Sequence, residues 1–495
     1  MKRIIFLLRT SIIIGLTSCM LSCDKDNFGP TITDPEYISF SIKVTDNLTK
    51  NPTESGDYEG TVKEKKISSM RFVFFDNSKV IDYFDLDIAT DGIDPFTGNN
   101  VYLSSGNNVV ITTPIQLPPA DYKLVAIANP NSTIKGVTVK NSTINEFEAA
   151  AKQTVNNLTG ANSDQFLMLN NNGYINIPST SFKNTEDKAQ AAPVAIKLER
   201  AVAKVFVYGN PKMLHNQYDM LRDIKWKLDV TNKWTYWMRK QTYKLGGSVL
   251  EDETTPMSER YAEDPNYNNI STLPLDEQKE QFNYIVNGPS EIFTKALPSE
   301  LNENNESSYE YVLENTMRPD DYDDYTVTSI AIQGVYQPDE IGNTGSFYYY
   351  NNTVITLSDM DMYAIWVKDP SKGTPIPARL SGLADAVKAV NDSIADYPYG
   401  MPHLSFSIKG LNCYLDGVCY YRLKIRHFMN SSVSANDYGY YGLVRNNIYR
   451  IRLVSVSGPG SPGFEEIDPS DELEISFNAY VNPWWERFQE EDLYK

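Results

Sequence analysis

Few residues in this chain are spaced for chemistry, and each such group fails a simple test. Gly458-Pro-Gly460-Ser-Pro-Gly463 has the G-x-G-x-x-G spacing of a dinucleotide loop. That loop works only where it opens a helix whose N–H groups face a pyrophosphate. Here two prolines interrupt it and an acidic, Pro-containing stretch follows, so it reads as a linker. Asp320-Asp321-Tyr322-Asp323-Asp324 offers carboxylates to Ca²⁺ but lacks the spacing and Gly of an EF-hand, and reads as a solvated acidic loop. His215, His403 and His427 show no paired zinc spacing. There is no G-x-S-x-G, P-loop or Cys–His pairing. Carboxylates abound, but nothing pairs two of them for glycoside hydrolysis. Tyr348-Tyr349-Tyr350 can stack on sugar rings, yet tyrosines interleaved along a strand are more often packing. The expectation is no catalysis, no metal and no cofactor.

The cysteines suggest covalent roles. Met1-Lys2-Arg3, a short apolar run and small residues up to Cys19 describe a secretory leader. Leu16-Thr17-Ser18-Cys19 fits the lipoprotein signal-peptidase box. Met20-Leu21-Ser22-Cys23 is a poorer fit, but the acidic Asp24-Lys25-Asp26 behind it suits surface export. Lipidation is expected at one of the two, Cys19 or Cys23, tethering a precursor to outer-membrane lipid. No later segment has the roughly 18 apolar residues of a span. Cys413 and Cys419 flank a short loop, Leu415 to Gly417, that would set them opposite each other in a hairpin. A disulfide and two packed thiols are both open for this pair.

Two strands at opposite ends share one pattern. Ile38, Phe40, Ile42 and Val44 alternate with polar residues near the start, and Leu473, Ile475, Phe477, Ala479 and Val481 do so near the end, followed by Trp484. Strict alternation means a strand with one buried face. Both hang on Pro/Gly/acid-rich leashes, so both suit the same groove. If the first were cut away, the last strand of a neighbouring copy could replace it, which is β-strand addition used as a polymer joint. The loop behind the first strand carries Lys50, Lys63, Lys65 and Lys66, which a trypsin-like protease could cut. Lys50 is the primary candidate.

The remaining elements must position these strands. At 495 residues the chain is too long for one sandwich. With 33 tyrosines and many short alternating runs, it is expected to be mainly β: two tandem β-sandwich domains with short helical decorations. Residues 1–22 form the signal (1–18 if Cys19 is lipidated). Residues 23–66 form the tether, first strand and a long exposed cleavable loop. Residues 67–199 and 200–457 form the two sandwiches, and 458–495 the linker and donor strand. Thr143 and Glu146 form a capping box ahead of a helix from Phe147 to Leu158. Met362–Val367 reads as a strand. Leu383, Val387, Val390 and Ile394 share a helix face capped by Ser381. A net charge of −19 argues against nucleic acid and anionic membrane surfaces as partners, because phosphate binding needs clustered Lys and Arg.

The sequence resembles the fimbrillin family, the shaft subunits of type V pili, and within it is most similar to the major subunit of the minor fimbrium. The matching residues are Leu198-Glu-Arg-Ala-Val-Ala-Lys204, Asp223-Ile-Lys-Trp226, Cys419-Tyr-Tyr421, Gly442-Leu-Val-Arg-Asn-Asn-Ile-Tyr449, and Glu474-Ile-Ser-Phe477 with Pro483-Trp484. The resemblance implies a lipoprotein precursor at the cell outer membrane, cut by a gingipain-like surface protease. It then joins other copies of itself and other fimbrial subunits by donor-strand exchange, supporting adhesion and biofilm formation through an unknown host or bacterial ligand. Relatives are cut after Arg, whereas here no Arg lies between the first strand and Arg71. An uncut subunit would act as a lipid-retained anchor. A surface glycan-binding lipoprotein shares the leader and the aromatics but has no use for a detachable strand.

Overall fold

The computed structural model describes residues 35–43, 61–89, 98–105, 109–171, 173–214, 216–241, 262–266, 270–285, 293–302, 305–323, 325–342, 345–427, 439–464 and 475–483. The chain is mainly β. No helix among the described residues is long and apolar enough to cross a membrane.

The first lobe is one nine-stranded sheet. Its order is Val80–Leu86, Met70–Phe75, Tyr122–Ala128, Met168–Asn170, Val194–Arg200, Phe40–Lys43, Val109–Thr112 and Val101–Ser105, with Ile175–Ile177 added alongside Tyr122–Ala128. Met70–Phe75 is buried at every residue, so it reads as a continuous apolar run rather than an alternation. The sheet rolls over its own core. Phe40 lies four strands from Met70–Phe75, yet its ring stacks on Phe72 and tilts against Phe74. The first sandwich is thus a single sheet folded over on itself, with Val80–Leu86 and Val101–Ser105 at its two ends.

Val194–Arg200 continues into Ala203–Met213 with only Ala201 and Val202 between, and there the chain changes sheets. The second lobe packs two four-stranded sheets face to face. One runs Tyr309–Val312, Ala203–Met213, Asn447–Val456, Ile475–Pro483; the other runs Lys295–Ala296, Met220–Asp229, Ser329–Gln337, Val418–Lys424. Their shared core holds Trp226, Tyr336 and Tyr449. A smaller sheet, with Phe347–Tyr350 and Leu411–Tyr414 at its centre, carries two helices over a separate core of Tyr348, Met360, Val387 and Val390.

Four local expectations are corrected. Met362–Val367 is not a strand but part of the helix Leu357–Lys368, which Thr356 caps by accepting the Asp359 N–H. The capping box at Thr143 and Glu146 forms, but its helix ends at Glu148. Ala151–Lys152 then pairs with Trp234–Thr235, and a second short helix follows, Val155–Thr159. Leu383–Ser393 starts from Gly382 at φ 88°, not from a Ser381 side-chain cap. The long exposed loop ends early, because Val62–Lys65 is a helical turn with Glu64 fully buried.

Candidate strand-exchange interface

The leading strand comes in two pieces, Glu36–Ile38 and Phe40–Lys43, broken at Ser39. The first piece pairs antiparallel with Ile115–Leu117. The second lies between two neighbours: parallel to Val194–Arg200, with Phe40 opposite Val194, and antiparallel to Val109–Thr112, with Ser41 opposite Ile111. Ile38, Phe40 and Ile42 are all buried, as the alternation requires. Ser39 is buried too, against the alternation, and its hydroxyl has no hydrogen-bond partner among the described residues. At this break the Phe40 N–H donates to the Thr112 hydroxyl at 3.0 Å. The leading strand therefore fills a central slot, but imperfectly.

The tail strand, Ile475–Pro483, sits differently. Among the described residues it has one neighbour, Asn447–Val456, and forms the edge of its sheet. The register runs antiparallel from Asn447 opposite Pro483 to Val456 opposite Ile475, with an irregularity at Leu453–Ser455. It is unbroken over nine residues, whereas the leading strand is interrupted after three. Ile475, Phe477, Ala479 and Val481 belong to this strand. Leu473, Trp484, Val44, Lys50, Cys19 and Cys23 lie outside the described residues.

The other candidate cleavage lysines are held. Thr61 and Glu64 form a reciprocal capping box around Val62–Lys65. Glu64 Oε1 then accepts from Lys204 Nζ at 2.7 Å and from the Tyr311 hydroxyl, while the Glu64 carbonyl accepts from Arg200 Nε at 3.1 Å. Lys204 Nζ lies 4.0 Å from the centre of the Tyr309 ring and 4.7 Å from that of Phe206. Burial alone would push the Glu64 carboxyl up, but Lys204 and Arg200, with the hydrogen bonds from Lys204 and Tyr311, hold it below its ordinary range. Lys66 pairs with Asp164 at 3.0 Å, and the exposed Lys63 reaches Glu306 at 3.5 Å. This lock at the lobe junction was not foreseen. Thr61-x-x-Glu64 was its visible sequence signal, since that spacing is a capping box.

The Val444-Arg-Asn-Asn-Ile-Tyr449 run builds the same junction. Arg445 is buried and donates to the carbonyls of Tyr236 and Trp237, the Thr235 hydroxyl and Glu314 Oε1. Asn446, at φ 57°, donates its N–H to the Val202 carbonyl and accepts the Arg200 N–H on its side chain. The Tyr449 hydroxyl takes the Val444 N–H and meets His427 Nδ1 at 2.8 Å, a structural role for that histidine. Beside this run Glu199 pairs with Arg239 at 2.8 Å. Burial raises its carboxyl to about 7 against the opposing pull of Arg239 and Arg445.

The remaining candidates resolve as structure. Cys413 and Cys419 are free, buried thiols. They do not face each other, because Leu411–Tyr414 and Val418–Lys424 belong to different sheets: Cys413 opposes Tyr348 and Phe406, and Cys419 opposes Gly334. Burial pushes the Cys413 thiol up to about 11. Tyr348-Tyr349-Tyr350 is buried. In the acidic run, Asp321 is buried against Arg318 and Asp323 accepts the Tyr325 N–H; no metal-binding cluster occurs among the described residues. The glycine linker is seated rather than loose. Ser461 and Tyr420 exchange backbone hydrogen bonds, the Tyr414 hydroxyl donates to the Gly460 carbonyl at 2.6 Å, and Phe464 packs on Phe293 and Tyr420.

The chain thus holds one terminal strand between two neighbours and the other at the edge of a sheet. Residues 37–170 match the family described as major fimbrial subunit protein (FimA), and residues 412–490 match fimbrillin, C-terminal, of the type IV major fimbrial subunit proteins. Both matched families are described as fimbrial subunits, and together the two matches span 213 of the 495 residues. Among solved structures it is similar to a fimbrilin (FimA) of Porphyromonas gingivalis W83, with 16% identity over 92% of this chain and 100% of that one, TM-score 0.43. A candidate cell adhesion protein of Parabacteroides distasonis gives 12% identity over 91% and 99%, TM-score 0.45. The tip fimbrial protein Mfa3 of Porphyromonas gingivalis gives 10% over 90% and 99%, TM-score 0.36. No functionally curated protein matches the chain.

Proposed function

We propose that this chain is a fimbrial shaft subunit that polymerises by protease-triggered exchange of its leading strand for the tail strand of another copy. The observation that carries the reading is the unequal seating of the two strands. Among the described residues the tail strand has a ladder on one side only, and the slot offers ladders on both. Once the cut leading strand has left, moving the tail from edge to slot trades one ladder for two and fills the vacated slot with an unbroken strand. An unsatisfied buried hydroxyl costs about 1–3 kcal/mol, which weakens the leading strand's hold on the slot once the chain behind it is cut. Four alternating apolar side chains entering the slot contribute roughly 6–12 kcal/mol gross, less the cost of ordering the tail.

The cut belongs before Thr61. Proteases act on exposed, extendable segments. Lys63, Lys65 and Lys66 lie in or beside a capped turn pinned by the buried Glu64, which leaves Lys50 as the preferred site. Lipidation at Cys19 or Cys23 would hold the precursor at the outer membrane until that cut, after which the subunit enters a surface fimbrium supporting adhesion and biofilm formation.

The test is on protein spanning residues 24–495, trimmed briefly with trypsin, sequenced at its new N-terminus and run on a non-boiled SDS gel. A cut before Thr61 with a ladder of SDS-resistant oligomers is expected, and deleting residues 472–495 should abolish the ladder. A clean monomer after that cut overturns the reading. Protein that resists the cut identifies a lipid-retained anchor instead.

A further inference from the structure

The two terminal strands share more than an alternation. Ile38-Ser39-Phe40-Ser41-Ile42-Lys43-Val44 and Ile475-Ser476-Phe477-Asn478-Ala479-Tyr480-Val481 are identical at four of seven positions: Ile, Ser, Phe and the closing Val. Laid over each other in the same direction, they pair Ile475 with Ile38, Ser476 with Ser39, Phe477 with Phe40 and Ala479 with Ile42. That direction is the leading strand's own, parallel to Val194–Arg200 and antiparallel to Val109–Thr112.

Two seats in the slot select this overlay. One is a ring seat. Phe40 is fully buried, stacked on Phe72 with ring centroids 4.6 Å apart and tilted against Phe74 at 6.2 Å. Phe477 is the only phenylalanine in Ile475–Pro483. The other is the seat of Ser39, which is buried although it alternates with Ile38 and Phe40. Its carbonyl accepts the Val194 N–H at 2.8 Å, and the next N–H, that of Phe40, goes to the Thr112 hydroxyl at 3.0 Å. A buried seat of this kind takes a small side chain and rejects a charge. The overlay brings Ser476 to it. A shift of two residues is the smallest that keeps the apolar face inward. It would bring Glu474 or Asn478 to this seat instead, and Ile475 or Ala479 to the ring seat. A third seat does not match. Ile42 is fully buried and stands opposite Val110 and Ile196, themselves buried, whereas Ala479 brings only a methyl group.

We infer that the tail enters the slot of a second copy in this one register, with Phe477 in the ring seat on Phe72, and that Ala479 leaves a void beside Val110 and Ile196. This rests on the strand-exchange reading and adds the register to it. The Phe477 N–H then donates to the Thr112 hydroxyl, as that of Phe40 does in the precursor. Ser476 brings the same small hydroxyl as Ser39, so that seat favours neither strand. The void separates them. The leading strand fills the Ile42 seat and the tail does not, so an uncut precursor keeps its own strand against any tail it meets. Ala479 is thus the residue that makes exchange wait for the cut.

The test uses the full secreted chain carrying Ile111→Cys, trimmed, and synthetic peptides of residues 472–495 bearing one cysteine each. Ile111 is half-buried and stands opposite Ser41. The inferred register sets Asn478→Cys against it, whereas Ser476→Cys and Tyr480→Cys fall about 6.6 Å to either side along the strand. A disulfide should form roughly tenfold faster with Asn478→Cys than with either neighbour, because the bond tolerates little separation. Fastest reaction at Ser476→Cys or Tyr480→Cys, or equal rates at all three, overturns the inference. With the native trimmed subunit, an Ala479→Ile peptide should leave the slot roughly tenfold more slowly than the native peptide. Equal or faster release overturns the void and the role given to Ala479. Failure of the native peptide to enter the native trimmed slot is a different result: it removes the strand-exchange reading, and this inference with it.

Discussion

Phe40 and Phe72 stack face to face, ring centroids 4.6 Å apart and planes 8° from parallel, across the core of the rolled first sheet. One ring belongs to the strand proposed to leave and the other to the wall of the slot it leaves behind. Phe40→Ala should therefore cost the precursor about 3–5 kcal/mol and leave the trimmed, tail-filled subunit unchanged. Phe72→Ala should destabilise both. Urea unfolding of the two forms separates these outcomes; an equal loss from Phe40→Ala in both would show that the leading strand stays in place.

Ser39 offers the opposite substitution. Its hydroxyl is buried without a partner among the described residues, so Ser39→Ala should stabilise the precursor by about 1–3 kcal/mol. It should also slow loss of the cut leading strand roughly fivefold or more. The readout is the rate of tail-peptide capture after trimming. An unchanged rate would mean that release of this strand does not limit exchange.

The Glu64–Lys204 pair predicts an acid limit. Both side chains are fully buried and 2.7 Å apart. The folded-state value of Glu64 lies below its ordinary 4.5, so its stabilisation is complete above pH 4.5 and is lost as pH falls through the folded value. Thermal unfolding of native protein should weaken with acid in that window more steeply than Glu64→Gln. Lys204→Met, which strands the carboxylate, should cost about 3–5 kcal/mol, and adding Glu64→Leu should restore much of it.

A Cβ at Gly460 would fall 2.1 Å from the Tyr420 carbonyl oxygen. Gly460→Ala should unseat the linker and open residues 458–464 to limited proteolysis, with peptide capture by the slot unchanged. If that stretch stays protected, its docking does not depend on this close approach.

The two buried thiols give a simple control on the second lobe. Neither Cys413 nor Cys419 should react with iodoacetamide in the native state at pH 7.5, and both should react in urea. No disulfide-dependent shift should appear on non-reducing gels.

The sequence by itself determined the two alternating terminal strands, because a period of two on a half-buried sheet face is written in consecutive residues. Ile38, Phe40 and Ile42 are buried as that period requires. It also determined the capping box at Thr143 and Glu146 and the buried helix face of Leu383, Val387 and Val390, both local spacings. What it could not determine depends on partners far along the chain. Met362–Val367 is apolar enough for either state, and it is helical within a helix that Thr356 caps and that packs on the core beneath the small sheet. Cys413 and Cys419 are six residues apart, yet the chain changes sheets at Asp416 and Gly417, both at positive φ, and so parts them. Glu64 became the anchor of the junction only because folding brought Lys204, about 140 residues later, against it. The seating of the two terminal strands was likewise a tertiary decision. Their patterns are alike, but one fills a two-sided slot and the other an edge, since hydrogen-bond neighbours are set by topology rather than by a strand's own residues.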